Sequence, residues 1–279
     1  MLSDSEISQQ KRKVELAFAG AVSVALIALT FAVTKLAPTY EPIAEVSVAS
    51  KPIVVFPDFA SIPNIKAKKQ QFFDFLQDYV RYENGSVSDL RLQLLSYADI
   101  ADSGAPLSGR ERDWVVDLAI AYNVDTNTTT DRVLVNELLL KVDVIPASIV
   151  LAQAANESAW GTSRFALEGN NVFGQWCFVE GCGIVPNRRV EGATHEVKSF
   201  DTIEDAIESY FLNINSHPLY IGFRQERARF RQLGQSLDPF LLVQELGRYS
   251  QRGENYIDEV QTMIQQNDLR QRDRNWMEN

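Results

Sequence analysis

Ala154-Ala155-Asn156-Glu157-Ser158-Ala159-Trp160-Gly161-Thr162-Ser163, with Glu168-Gly169-Asn170-Asn171-Val172-Phe173-Gly174 a few residues on, is the stretch whose reading decides the fold. It is preceded by Val144-Ile145-Pro146-Ala147-Ser148-Ile149-Val150-Leu151-Ala152-Gln153, which is almost wholly apolar. Pro146 suits a first helical turn, where its missing N–H is no loss. Ile149, Val150, Gln153, Ala154 and Glu157 fall on neighbouring faces at i, i+3, i+4 spacing, and Gly161 is a natural stop. The spacing predicts a helix that carries Glu157 in its last turn. The helix dipole is negative there, and Ala159 and Trp160 are apolar neighbours. Both effects disfavour a carboxylate and raise its pKa, the property a general acid needs. Helix position alone leaves a second reading open, a glutamate that only caps the following loop.

Downstream of Gly174 the texture changes. Cys177 and Cys182 are the only cysteines of the chain, and the only histidines are His195 and His217. That is a poor ligand set for zinc, so no metal is expected. A short disulfide-closed loop in an oxidising compartment fits better, with two free buried thiols as the alternative. Residues 182–200 mix β-branched residues with turn formers, which predicts a β-hairpin turning near Glu191-Gly192-Ala193. Helices then resume: one opened by Asp201-Thr202-Ile203-Glu204 as a capping box, one over 222–233, one over 236–246 and a last over 255–266. From Asp268 the tail is charged, and fraying is expected.

Upstream, the periodicity predicts helices over 66–82, stopped by Asn84-Gly85, and over 87–101. Two more cover the residues after Ser108-Gly109-Arg110-Glu111, a second capping box, and 131–142. Residues 37–65 hold Pro38, Pro42, Pro52, Pro57 and Pro63, which forbid a long helix and read as an extended linker. Before it, Leu16 to Thr34 carries no charge; as a helix it would span roughly 28 Å, close to a hydrocarbon core. Lys11, Arg12 and Lys13 precede the run, so the expectation is an uncleaved signal anchor over 14–36. Residues 1–13 would then be cytoplasmic and the rest exported. The whole chain has 279 residues and a formal charge of −10. That allows one ordinary domain with appendages and argues against a nucleic-acid partner.

The motif Glu157-Ser158-Ala159-Trp160-Gly161 with the sequel Asn170-Asn171-Val172-Phe173-Gly174 resembles the glucosaminidase family, the peptidoglycan hydrolases of glycoside hydrolase family 73. Within it the Bax-like branch is the better match, through Gln175-Trp176-Cys177-Phe178, Gly181-Cys182-Gly183 and Arg248-Tyr249-Ser250. The resemblance spans about residues 145–266. It implies an α+β, mainly α fold, with a lysozyme-like helical lobe and a small β-hairpin lobe flanking a sugar groove. Residues 66–142 would be the helical N-terminal part of the domain, 143–267 the catalytic region and 268–279 the tail.

The implied reaction is hydrolysis of the β-1,4 bond after N-acetylglucosamine in peptidoglycan, without a cofactor and with Glu157 as general acid. The family's second glutamate lies on the hairpin, in a context this chain lacks. Glu191 is the nearest candidate, with Glu196 and Glu180 behind it; failing these, the substrate's own N-acetyl group would assist. The family's late tyrosine maps onto Tyr249, with Tyr256 second. Trp160, Phe173 and Trp176 either offer faces to sugar rings or fill the core. Asn170 and Asn171 either bind the N-acetyl group or only make the turn. Three other readings remain: a lytic transglycosylase, an inactive peptidoglycan-binding module, and a structural partner of other envelope proteins through Ala37 to Val142. The expected location is the bacterial inner membrane, with the catalytic domain in the periplasm.

Overall fold

The computed structural model describes residues 56–127, 130–187, 189 and 192–273. The expected anchor, most of the linker and Glu191 lie outside the described residues. No helix among the described residues is long and apolar enough to cross a membrane.

The architecture is mainly helical α+β. The first helix, α1, runs unbroken over Ile65–Asp102, where the sequence reading divides it at Asn84-Gly85. The reason is tertiary. The Asn84 side chain is buried and pairs with the backbone of Ile145, accepting from its N–H at 2.9 Å and donating to its carbonyl at 2.9 Å. A mid-helix glycine costs about 1 kcal/mol. Burying Phe72, Phe73, Leu76, Val80, Val87 and Leu94 along the same helix offsets that several times over, at about 1.5–3 kcal/mol for each large side chain. Helices α2 (Gly109–Ala121) and α3 (Asp131–Lys141) follow. The Ser108–Glu111 capping box forms as expected.

Helix α4 (Ala147–Glu157) is the centre of the domain, with nine of its eleven residues buried. It packs against α1, against the last helix, and against a 3-10 turn at Leu269–Asp273. That turn corrects the expectation of a frayed tail from Asp268: Leu269 and Asp273 are buried. Asp273 caps α4 from a distance, accepting from the Ser148 N–H at 2.8 Å and the Ser148 hydroxyl at 2.7 Å. The linker expectation is also shortened. Phe56 and Phe59 are buried, and both pack edge-on against Phe75.

After α5 (Arg164–Gly169) come three short strands, β1 (Trp176–Cys177), β2 (Gly183–Ile184) and β3 (Glu196–Lys198). They form an antiparallel sheet in the order β1-β3-β2, with Trp176 opposite Val197 and Ile184 also opposite Val197. The predicted hairpin is β2–β3, and β1 adds a third strand on the other side of β3. Helices α6 (Ile203–Ser216), α7 (Ile221–Gln232), α8 (Pro239–Gln244) and α9 (Glu254–Gln266) complete the domain. The capping box of α6 sits one residue later than read, on Thr202 and Asp205. Thr202 is the residue in extended conformation with its hydroxyl free to accept from the Asp205 N–H.

Candidate active site

Glu157 is the last residue of α4, and the chain behind it turns sharply. Ala159, Trp160 and Gly161 all have positive φ, at 51°, 62° and 72°. Two non-glycine residues in the left-handed region cost roughly 1–2 kcal/mol each. The turn is held by Ser158, whose hydroxyl donates to the Ala154 carbonyl at 2.6 Å and accepts from the Gly161 N–H at 2.8 Å. Trp160 stabilises it further by packing edge-on against Phe72 and Phe73, with the Lys69 ammonium over its ring. Gly161 has no room for a side chain: a Cβ would lie 2.6 Å from the Phe56 ring and 2.8 Å from the Phe59 ring.

This geometry points the Glu157 carboxyl into a groove of about 850 Å³. Trp176 and Phe178 form one rim, Ser209 and Asn213 of α6 another, and Tyr249 to Arg252 a third. Glu157 is the only carboxylate among the described residues that line it. Its Oε1 is buried and has no hydrogen-bond partner within the protein. Burial raises its pKa above the ordinary carboxylate value; Glu259 adds to the rise, while Tyr256, Arg252 and Asn156 oppose it. Gly174, with φ of 65°, leaves the space beside the carboxyl clear; a Cβ there would stand 3.5 Å from Glu157 Oε2.

The structure sorts the other site residues read from the sequence. Tyr249 lines the groove, and its hydroxyl donates to the Phe173 carbonyl at 2.9 Å. Burial pushes that hydroxyl's pKa far up, so it serves as a neutral donor. Phe173 lines the groove from below and stacks on Tyr210 with centroids 4.1 Å apart. Trp176 lies on the rim and is 53% exposed, one face stacked on His195 at 4.1 Å.

For three residues that the sequence leaves between substrate contact and a structural role, the structure shows the structural one. Trp160 is absent from the groove lining and belongs to the Phe72–Phe73 packing described above. Asn170 takes the left-handed position that ends α5, and its amide donates to the Phe200 and Asp201 carbonyls. Asn171 is buried; its amide donates to the Gln175 and Lys198 carbonyls while its oxygen accepts from the N–H groups of Phe173 and Gln175. Both asparagines build the turn that presents Phe173 and Gly174.

Cys177 and Cys182 are disulfide-bonded. Glu196 lies beside them, and Cys177, Cys182 and Glu196 have ligand atoms within 4.8 Å of one another. Both sulfurs are consumed in the disulfide, so the cluster lacks the thiolates a metal would require. Glu196 instead accepts from the Gly181 and Gly183 N–H groups at 3.1 and 2.8 Å, and these bonds hold its pKa low. That fixes the loop and removes Glu196 from contention as a base. Glu180 is exposed on the same loop and absent from the groove lining.

The sequence reading did not foresee the buried Tyr210–Gln153–Tyr256 hydrogen bonds one helical turn before Glu157. The one signal in the sequence was the i, i+4 spacing of Gln153 and Glu157 on an otherwise apolar helix.

Residues 134–269 match the glucosaminidase family, described as mannosyl-glycoprotein endo-beta-N-acetylglucosaminidase. Over 211 residues the chain is 31% identical to Protein bax of Escherichia coli (strain K12), covering 76% of this chain and 74% of that one. Among solved structures, the catalytic domain of the autolysin Auto from Listeria monocytogenes aligns with a TM-score of 0.40 at 16% identity, covering 81% of this chain and 92% of that one. The family match defines the class of the protein as a glycoside hydrolase acting on peptidoglycan. The chain belongs to the glucosaminidase family.

Proposed function

We propose that this chain is an endo-β-N-acetylglucosaminidase of peptidoglycan, cleaving the β-1,4 bond after N-acetylglucosamine with Glu157 as general acid. The observation that carries the reading is Glu157 itself, a carboxyl desolvated at a helix end and lining a groove of about 850 Å³. In this mechanism the protonated carboxyl gives its proton to the glycosidic oxygen as the C–O bond breaks toward an oxocarbenium-like state. Trp176 presents its free face to a sugar ring, and Tyr249 holds the Phe173–Gly174 turn against the acid. Water completes the hydrolysis, activated by Glu191 or preceded by attack of the substrate's N-acetyl group.

A lytic transglycosylase is the second reading. It is favoured by the fact that no second carboxylate lines the groove among the described residues. We further propose that Leu16 to Thr34 anchors the chain in the inner membrane with the domain in the periplasm. The uncharged run behind Lys11-Arg12-Lys13 and the disulfide support this.

One assay addresses all three points. Membrane and soluble fractions of cells making the full chain are incubated with purified peptidoglycan, and the products are weighed by mass spectrometry. The expected products carry reducing N-acetylglucosamine, arise from the membrane fraction and vanish with Glu157→Gln. Anhydro-muramic ends would establish the transglycosylase instead. Turnover that survives Glu157→Gln would overturn the acid.

A further inference from the structure

The α6 wall of the groove ends in an imidazole held more firmly than an exposed side chain requires. His217 follows the last residue of α6 and lines the groove with Asn213, Ser216 and Leu219. It is exposed, yet three bonds fix it. Its N–H donates to the Asn213 carbonyl at 2.9 Å, in the last turn of α6. Its carbonyl accepts from Arg224 Nη1 at 2.9 Å. Its ring Nδ1 accepts from the Leu219 N–H at 3.2 Å and so caps a 3-10 turn at Pro218–Tyr220.

Arg224, from α7, makes this arrangement a costly one. It is 2% exposed, and its Nε is buried without a partner. Nη1 donates to the Ile214 carbonyl at 2.9 Å as well as to His217, and neither bond goes to a carboxylate. Burial pulls its pKa below the ordinary guanidinium value. Taking a charge out of water is unfavourable unless it is paired. What Arg224 gains is a place against carbonyls at the negative end of α6. A desolvated cation thus holds the turn that carries the imidazole.

These bonds also settle what the ring can offer. An imidazole nitrogen that accepts a hydrogen bond carries no proton, so the neutral ring carries its proton on Nε2. Nε2 is the nitrogen farther from the backbone, and it has no hydrogen bond among the described residues. Turning the ring over would set a carbon against the Leu219 N–H and lose the cap. Both backbone polar groups of His217 are committed, so the groove meets this residue through its ring. The Tyr220 ring lies 5.9 Å from the imidazole and 6.1 Å from the Tyr249 ring, centroid to centroid, and joins this position to the wall that Tyr249 forms.

We propose that His217 is a glycan-binding residue whose Nε2–H donates to an acceptor oxygen of a sugar unit lying along the α6 wall. The proposal rests on the reading of the groove as a glycan site, and it assigns the imidazole to binding, not to proton transfer.

Two substitutions separate the donor from the cap. His217→Asn sets an amide oxygen near the Nδ1 position, keeps the Leu219 N–H satisfied as a favoured N-cap residue, and removes the outer donor. His217→Gln does the reverse, reaching the Nε2 position with its amide and giving up the cap. The full chain carrying Glu157→Gln, kept in detergent, is titrated with the N-acetylglucosamine tetrasaccharide by isothermal calorimetry. Adding His217→Asn is expected to weaken binding about fivefold, the range of one neutral hydrogen bond. His217→Gln should bind within about twofold of the parent but melt at a lower temperature, whereas His217→Asn melts with the parent. With Glu157 intact, His217→Asn should raise KM for peptidoglycan fragments by the same factor and leave kcat unchanged, the mark of an interaction made equally in ground and transition states.

A merely structural role gives the opposite order, with Gln binding more weakly than Asn, and that order overturns the proposal. So does a folded His217→Asn that binds as the parent does, or a parent that does not bind the tetrasaccharide. If circular dichroism shows His217→Asn unfolded, His217→Gln decides: binding close to the parent supports the outer donor, and a loss of about fivefold or more refutes it. Turnover is read separately. A chain that binds in the expected pattern without cleaving peptidoglycan refutes the proposed function and keeps His217 as a binding residue. A chain that cleaves while its binding ignores His217 does the converse.

Discussion

Glu157 shows at the scale of one residue what burial does to a carboxyl. Its folded pKa is raised, chiefly by burial. A group raised in this way contributes stability that is present below its unfolded pKa and is lost as pH rises through the folded one. The ionised acid is therefore a burden on the fold at neutral pH. Glu157→Gln is expected to abolish turnover and yet to unfold at higher denaturant than the parent at pH 7. The gain should shrink as pH falls toward 4, and urea melts at the two pH values check it. A variant less stable than the parent at pH 7 would mean that Glu157 is better solvated than its surroundings indicate. Asn170 and Asn171 carry the complementary lesson. The Asn-Asn pair beside the proposed acid reads equally as substrate contacts or as a turn, but the Asn170 amide nitrogen and both polar atoms of the Asn171 amide are bonded to backbone.

At the scale of the element, α4 explains why the C-terminal segment matters. Pro146 precedes the helix and brings no capping side chain. The first-turn N–H of Ser148 is satisfied instead by Asp273, 125 residues away. Asp273→Ala leaves that buried donor unmet and is expected to cost about 1–2 kcal/mol. For a domain of this size that lowers Tm by roughly 2–8 °C, and differential scanning calorimetry would read it. An unchanged Tm would show that the cap contributes nothing. The same helix carries the proposed acid at its other end, so the variant should also lose activity at temperatures below its melting point. The sheet makes a related point: two- and three-residue strands are too short to be stable alone. The disulfide and the Glu196 clamp do what strand length does elsewhere.

At the scale of the whole molecule, Asp143 ties the helical layers together. It lies between α3 and α4, and its carboxylate meets Arg231 at 2.9 Å, Arg91 at 3.5 Å and Arg227 at 3.8 Å. Arg91 comes from α1 and the other two from α7. Arg227 is fully buried and also donates to the carbonyls of Asp143 and Val144 and to Asn215. Burial alone would raise the Asp143 pKa, but the guanidiniums of Arg227, Arg231 and Arg91 outweigh it and hold it below the usual value. A depressed folded pKa contributes stability above the unfolded pKa, lost as pH falls through the folded one. Asp143→Asn leaves buried guanidiniums without a counter-charge, with an expected cost of about 3–5 kcal/mol at pH 7. Guanidinium melts at pH 7 and pH 3 should show the gap between parent and variant closing at the lower pH. A gap that stays constant would mean that packing, not charge, makes the cluster matter.

Local information was enough for several features of this chain. Helical periodicity, the Ser108–Glu111 capping box and the placement of Glu157 at a helix end all depend on residues within one or two turns of each other, so they are legible in the sequence. The two cysteines, five residues apart, likewise form the disulfide that a short loop permits. What tertiary structure alone decided involves partners far apart in the chain. Asn84 stays helical because Ile145 lies across from it, and Asp273 caps a helix that begins at Ala147. Trp160 turns inward because Phe72 and Phe73 are there to receive it. Gln153 found its partners in the same way. It shares a face with Glu157 by spacing alone, but only the packing of α6 and α9 on α4 brings Tyr210 and Tyr256 to its two ends. Periodicity shows which face of a helix is buried; the polar groups that must be satisfied there are known only once the chain has folded over them.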